Sequence, residues 1–280
     1  MTGRPTRYRP ASPRESGWRR PVLVLTMLLT ALMTAMAIVF LSATQLTQRN
    51  TAQHYLARAL TSLLEIDQFV LNAWPELEAG AEHGGVVPLS DYPLTLQLDR
   101  EALADGPGAV SEAIAAATAS LVYDAGLEAL SDSPRAFRVF SRGALFEGSV
   151  GRLTRGGHEL ATVTLVVSGT LAILLSLATA AQTRGLSRFA APGLAIAVGA
   201  LLVWIGAFVV RSAFAGQAES TADPFAAELA LIAADAVSLL VRNAAIAGLA
   251  SGSVAALALI GGGLLRVVDD PGDVQAARFR

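Results

Sequence analysis

The sequence predicts a polytopic α-helical membrane protein: four transmembrane helices, with a small α+β extracytoplasmic domain between spans 1 and 2. Three observations carry that expectation. Four apolar stretches, at 21–43, 160–181, 190–210 and 243–265, hold no Asp, Glu, Lys or Arg. A helix of about 20 residues crosses a hydrocarbon core of about 30 Å, and each stretch is long enough. Residues 44–159, between the first and second stretch, carry 8 Arg and 15 Asp or Glu, and so read as a domain outside the bilayer. Finally, basic residues crowd one set of flanks, which orients the spans.

The Arg-rich tail at 1–20 bears Arg4, Arg7, Arg9, Arg14, Arg19 and Arg20 against Glu15 alone. Positive charge resists translocation, so this tail is expected in the cytoplasm. Four crossings then return the C-terminal tail, 266–280, to the same side. The loop at 182–189 holds Arg184 and Arg188 and no acid, in agreement. Arg211, at the other end of the third stretch, and the mixed charges of the C-terminal tail weaken the asymmetry. The first stretch also begins like a signal peptide, with Ala35-Met36-Ala37 matching a small-residue cleavage site. Its apolar run continues through Phe40 and Leu41, beyond the 7–15 residues of a signal core, so an uncleaved span is expected.

Within 44–159, Leu56, Leu60, Leu63, Leu64, Val70, Leu71 and Trp74 recur at helical spacing and predict an amphipathic helix that continues from the first span. Arg49, Asn50, Arg58, Glu65 and Gln68 lie on its polar face. Trp74-Pro75 is expected to end it, because the residue before proline is pushed out of the α region. A Gly-rich loop at 79–85 follows. The alternation at 94–98 predicts a half-buried strand. Asp105-Gly106-Pro107-Gly108 is a turn cluster. Val110, Ile114, Ala117, Leu121, Val122 and Ala125 then predict a second helix ending near Leu130. Short apolar runs at 137–140 and 144–146, joined by Ser141-Arg142-Gly143, predict a β-hairpin. These strands are the basis of the α+β expectation.

Residues 211–242 are expected outside as well, as a loop and an amphipathic helix over 224–241 that runs on into the fourth span. Phe225, Leu229, Ile232 and Leu239 are its candidate interaction residues, on a stripe that also holds Ala236 and Leu240. Glu228, Asp235 and Arg242 lie seven apart on another face. A stripe this regular calls for a packing partner, either the helix after span 1 or the inserted domain.

In the spans, Ala244, Gly248 and Gly252 are spaced by four, and Gly199 and Gly206 by seven. Small residues so placed let helix backbones approach, within one chain or between copies, so a homo-oligomer stays open. The remaining polar residues there are hydroxyls and Asn243. Spans without an ionisable group lack the feature that transporters and pumps use to bind or relay ions.

Composition excludes several chemistries. The chain has no cysteine, which removes disulfides, thiol catalysis and Cys-based zinc sites. Its basic residues are all Arg, and Ala and Gly are abundant, the codon bias of a GC-rich genome and an indication of a bacterial source. The net charge of about −7 over 44–159 disfavours nucleic acid and anionic head groups as partners. His54, His83 and His158 have no second ligand at metal-binding spacing. No nucleophile elbow, phosphate loop or dinucleotide fingerprint occurs. No catalytic residue, cofactor or metal ligand is therefore assigned.

The expected function is a non-catalytic structural or accessory subunit of a cell-envelope assembly, held in the lipid bilayer and acting on other membrane or envelope proteins through its extracytoplasmic face. A ligand-sensing or substrate-binding component that signals through a separate effector is the alternative. A membrane-embedded enzyme acting on lipid or envelope polymer is the weaker one.

Overall fold

A computed structural model describes residues 16–82, 87–88, 97–98, 103–126 and 153–269. Seven helices are present among them. They are α1 (Ser16–Leu46), α2 (Arg49–Leu64), α3 (Ile66–Glu82), α4 (Pro107–Ala125), α5 (Arg155–Gln182), α6 (Ser187–Ser220) and α7 (Pro224–Asp269). The four apolar stretches fall inside α1, α5, α6 and α7, and each of these helices is long and apolar enough to cross a membrane. The chain thus has the make-up of a multi-pass membrane protein. At about 1.5 Å per residue, the 46 residues of α7 extend about 69 Å, roughly twice the hydrocarbon core.

The expected α+β domain is not seen. Among the described residues, extended pairing is limited to two residues on each side, β1 (Val87–Pro88) and β2 (Gln97–Leu98), antiparallel with Val87 opposite Leu98. Such a pairing is too short to form a layer, and Pro88 has no N–H to extend it. The alternation at 94–98 is extended only at Gln97–Leu98 among the described residues. Of the Gly-rich loop expected at 79–85, residues 79–82 are helical and belong to α3; the rest of it and the hairpin expected at 137–146 lie outside the described residues. Among the described residues of 44–159, the organising contact is helix-on-helix burial.

The chain divides into two compact units. One comprises Met36–Ser168 and Leu201–Ile246. Its core joins Ala52, Leu56, Ala59, Leu60 and Leu63 of α2 to Ile66, Val70 and Leu77 of α3 and to Val110, Ile114 and Val122 of α4. Phe225 and Ile232, from the start of α7, complete it.

Two sequence expectations for this unit need correction. The helix after α1 breaks at Glu65, not at Trp74-Pro75. Glu65 takes a left-handed conformation, φ 49° and ψ 45°, and α3 starts at the next residue. Ile66 follows Leu64 by two positions, about 200° around an unbroken helix, and would point away from the core. The turn at Glu65 brings Ile66 and Val70 back into it. Pro75 lies inside α3. It removes one hydrogen bond to the carbonyl of Leu71, but both residues are exposed, so water can satisfy that carbonyl.

On α4 the buried face is also rotated from the expected one. Ala117, Leu121 and Ala125 are exposed, while Thr118, Ala119 and Tyr123 are buried. Pro107 opens α4 at its first position, where a missing N–H costs nothing. Gly126, at φ 76°, closes it by donating its N–H to Val122 at 2.8 Å, ahead of the expected end near Leu130.

The second unit comprises Met1–Ala35, Gly169–Ala200 and Ala247–Arg280. Its helices meet through small side chains. Thr30 of α1 and Thr179 of α5 are fully buried with hydroxyls 3.4 Å apart. Each also donates to its own helix, Thr30 to Thr26 and Thr179 to Leu175. Ser176 and Ser251 likewise donate to the carbonyl four residues back. Most span hydroxyls are thus satisfied within their own helix.

Candidate functional site

The polar chemistry of the first unit gathers along α2. Ala52, Leu56, Ala59, Leu60 and Leu63 face the core. The helical repeat therefore turns Asn50, Gln53, His54, Arg58 and Ser62 toward another face. That strip forms one side of a cleft of about 890 Å³. α4 adds Ser111 and Glu112 among its lining residues, and the start of α7 adds Pro224 and Glu228. Part of the lining is small: Ala57 of α2, and Gly108, Ala115 and Ala116 of α4.

Arg58 is the electrostatic centre. Its Nε donates to Glu228 at 2.9 Å, its Nη2 lies 2.8 Å from the same carboxylate, and its Nη1 donates to Asp235 at 3.1 Å. Glu228 and Asp235 are two turns apart on α7, so one guanidinium spans both. Partial burial opposes the charge on Arg58, but the hydrogen bond to Asp235 and the field of Glu228 win and raise its pKa above the usual value. Tyr55, three residues earlier, has its phenol pKa raised by burial and by Asp235, with Arg58 opposing.

A second cluster joins the start of α2 to α4 and α5. Arg49 pairs with Asp124 at 2.8 Å and lies 6.0 Å from the centre of the Tyr123 ring. The Tyr123 hydroxyl donates to the Thr47 carbonyl at 3.1 Å. Thr47 donates its own hydroxyl to Ala43. The same hydroxyl lies 3.1 Å from His158 Nδ1. Glu159, next to His158 in the chain, pairs with Arg155 at 3.3 Å. The Ser111 hydroxyl donates to Asp67, linking α4 to the first turn of α3.

Of the stripe residues singled out in the sequence, Phe225 and Ile232 are buried in the α2–α3–α4 core, Leu229 packs against it half-buried, and Leu239 is half-buried farther along α7. Of the small residues, Gly199 meets the backbone of Ala31 of α1 so closely that a Cβ could not fit. Gly248 faces Ala200 at ordinary contact, and Ala244 is buried. A Cβ on Gly206 or Gly252 meets nothing. Asn243 donates to Ser42 at 2.9 Å and to Gln45 at 2.8 Å, tying α7 to α1.

Sequence reading missed the cleft and the role of Arg58. The signal was present as a heptad pair of acids on one helix and Arg58 on the polar face of another, but their meeting is a long-range event. No group of His, Asp or Glu among the described residues is arranged to hold a metal ion. His54 lines the cleft, and His83 lies outside the described residues. No family model, curated protein or solved structure matches the chain.

Proposed function

We propose that this chain is a non-catalytic structural or accessory subunit of a cell-envelope assembly. Its termini are cytoplasmic, and 44–159 and 211–242 lie on the extracytoplasmic side, where it engages other membrane or envelope proteins. One observation carries the reading. The helix that supplies Phe225 and Ile232 to the α2–α3–α4 core is the same continuous helix that contains the fourth apolar stretch. That continuity supports the reading, because a helical module that shares a helix with a span is suited to presenting a protein surface. The Arg bias of 1–20 and 182–189 supports the orientation.

Two measurements test it. The natural chain has no cysteine, so Glu76→Cys and Ser187→Cys each give a single label site. A membrane-impermeant maleimide is expected to label the first in intact cells and the second only after permeabilisation; the reverse pattern overturns the orientation. Extraction in mild detergent is expected to recover the chain with a fixed ratio of another envelope protein. Recovery of the chain alone and monomeric overturns the accessory role.

The cleft favours a second reading, a ligand-sensing or substrate-binding component. Its volume of about 890 Å³ falls in the range of small-molecule sites, roughly 300–1,000 Å³. Thermal stabilisation of the purified chain by a small molecule, lost on substitution of a cleft residue, would support this reading over the first.

A further inference from the structure

We infer that the cleft along α2 is a docking site for a short, extended, basic segment of a partner protein, an inference that rests on the accessory role proposed above. The shape sets the length. The lining residues of α2 run from Asn50 to Ser62, about 18 Å at 1.5 Å per residue. An extended peptide covers that distance with about five or six residues at about 3.3 Å each. A small diamine would leave most of the 890 Å³ unfilled. An amphipathic helix would need an apolar groove, whereas His54, Arg58, Glu112 and Glu228 line this one.

Charge sets the sign. Asp67, Glu112 and Glu228 face the cleft together with Arg58 and His54. The charge of Arg58 is met by Glu228 and by Asp235, which stands outside the lining. Asp67 accepts a hydrogen bond from the neutral Ser111 hydroxyl, and Glu112 is exposed on α4. Among the described residues neither Asp67 nor Glu112 has an ion-pair partner, so a cationic side chain laid along α2 meets two carboxylates that can pair with it. Residues 44–159 as a whole, at about −7, attract the same sign from a distance. The small side chains of Gly108, Ala115 and Ala116 allow a peptide backbone to lie close to α4, while Asn50, Gln53 and Ser62 supply groups that can hydrogen-bond its amides.

The test uses the full chain in non-ionic detergent and two fluorescein-labelled hexapeptides, one alternating Arg with Ala and one alternating Glu with Ala, read by fluorescence anisotropy. The Arg peptide is expected to bind at least about tenfold more tightly than the Glu peptide. Glu112→Lys is expected to weaken the Arg peptide about tenfold or more, and Glu112→Gln less. Glu76→Lys, an equal charge change on an exposed α3 residue outside the cleft, is expected to change it less than about twofold. Unchanged thermal unfolding of Glu112→Lys confirms that the variant is folded.

Equal binding of the two peptides overturns the proposal. So does an equal loss in Glu112→Lys and Glu76→Lys, which would mean a diffuse acidic field and no site. Displacement of the peptide by an equal concentration of spermidine also overturns it, in favour of a small organic cation. The accessory role fails separately, if no envelope protein co-extracts with the wild-type chain at fixed ratio. If one does while the peptide result is negative, only the docking site falls.

Discussion

Arg58 and Glu228, 170 positions apart in the chain, meet at 2.8 Å, and the side chains are 32% and 28% exposed. With Asp235 they form an ion-paired triad that sets the rotation of the first turns of α7 against α2. Half-exposed pairs contribute modestly, so the triad acts beside the apolar contacts of Phe225 and Ile232, which supply most of the association energy.

A double-mutant cycle on Arg58→Ala and Glu228→Ala measures the pair directly. The expected coupling is about 0.5–1 kcal/mol, the scale of partly exposed pairs, and it shrinks as salt rises. Chemical unfolding of the purified chain in mild detergent reads it. A coupling near zero at low salt would show that the triad does not hold the two helices together.

Phe225, 2% exposed, is the largest fully buried side chain of the core that α2, α3 and α4 share with the start of α7. Phe225→Ala is expected to destabilise the unit by about 3–5 kcal/mol, the transfer and cavity cost of a buried aromatic ring. Leu71→Ala, at an exposed site on α3, is expected to change it by less than about 0.5 kcal/mol. Limited proteolysis of 49–125 gives a second readout: faster cleavage in Phe225→Ala and none of that change in Leu71→Ala.

Tyr55 carries the pH dependence of this region. Its phenol pKa is raised above the usual 10.0 by burial, then by Asp235, with Arg58 opposing. The native state therefore keeps a proton that the unfolded chain releases as pH passes about 10. Stability falls as pH rises through that window, and is fully present below it. Tyr55→Phe cannot ionise, so the difference in unfolding free energy between wild type and Tyr55→Phe is expected to move against wild type from pH 9 to pH 11. A difference that stays flat over that range overturns the assignment.

Gly199 and Gly206 look alike in sequence but not in the fold. A Cβ on Gly199 strikes the backbone of Ala31, whereas one on Gly206 meets nothing. Gly199→Ala is expected to destabilise by about 1–3 kcal/mol, because backbone has to move. Gly206→Ala is expected to be neutral or to stabilise by up to about 1 kcal/mol through helix propensity. If Gly206→Leu alters the oligomeric state in detergent while leaving the monomer stable, that face of α6 is a contact between copies.

The sequence by itself determined the four long apolar helices, because a bilayer core demands about 20 uncharged residues and that demand is local. It also determined that Leu56, Leu60, Leu63 and Leu64 share an apolar stripe, as do residues of 224–241, since helical period is a property of neighbouring residues. Tertiary structure decided the rest. Whether 63–70 stays one helix or turns at Glu65 depends on a core shared with α4 and α7, and an inward place for Ile66 outweighs a left-handed Glu. The strand alternation at 94–98 is weak evidence for a layer, because a sheet exists only when partners pair along it, and β1 offers Val87 and a proline. Arg58 read as one more solvated charge until Glu228 and Asp235 came to it from 170 and 177 positions away. A cleft has no local signature at all: it is the space that four packed helices leave between them.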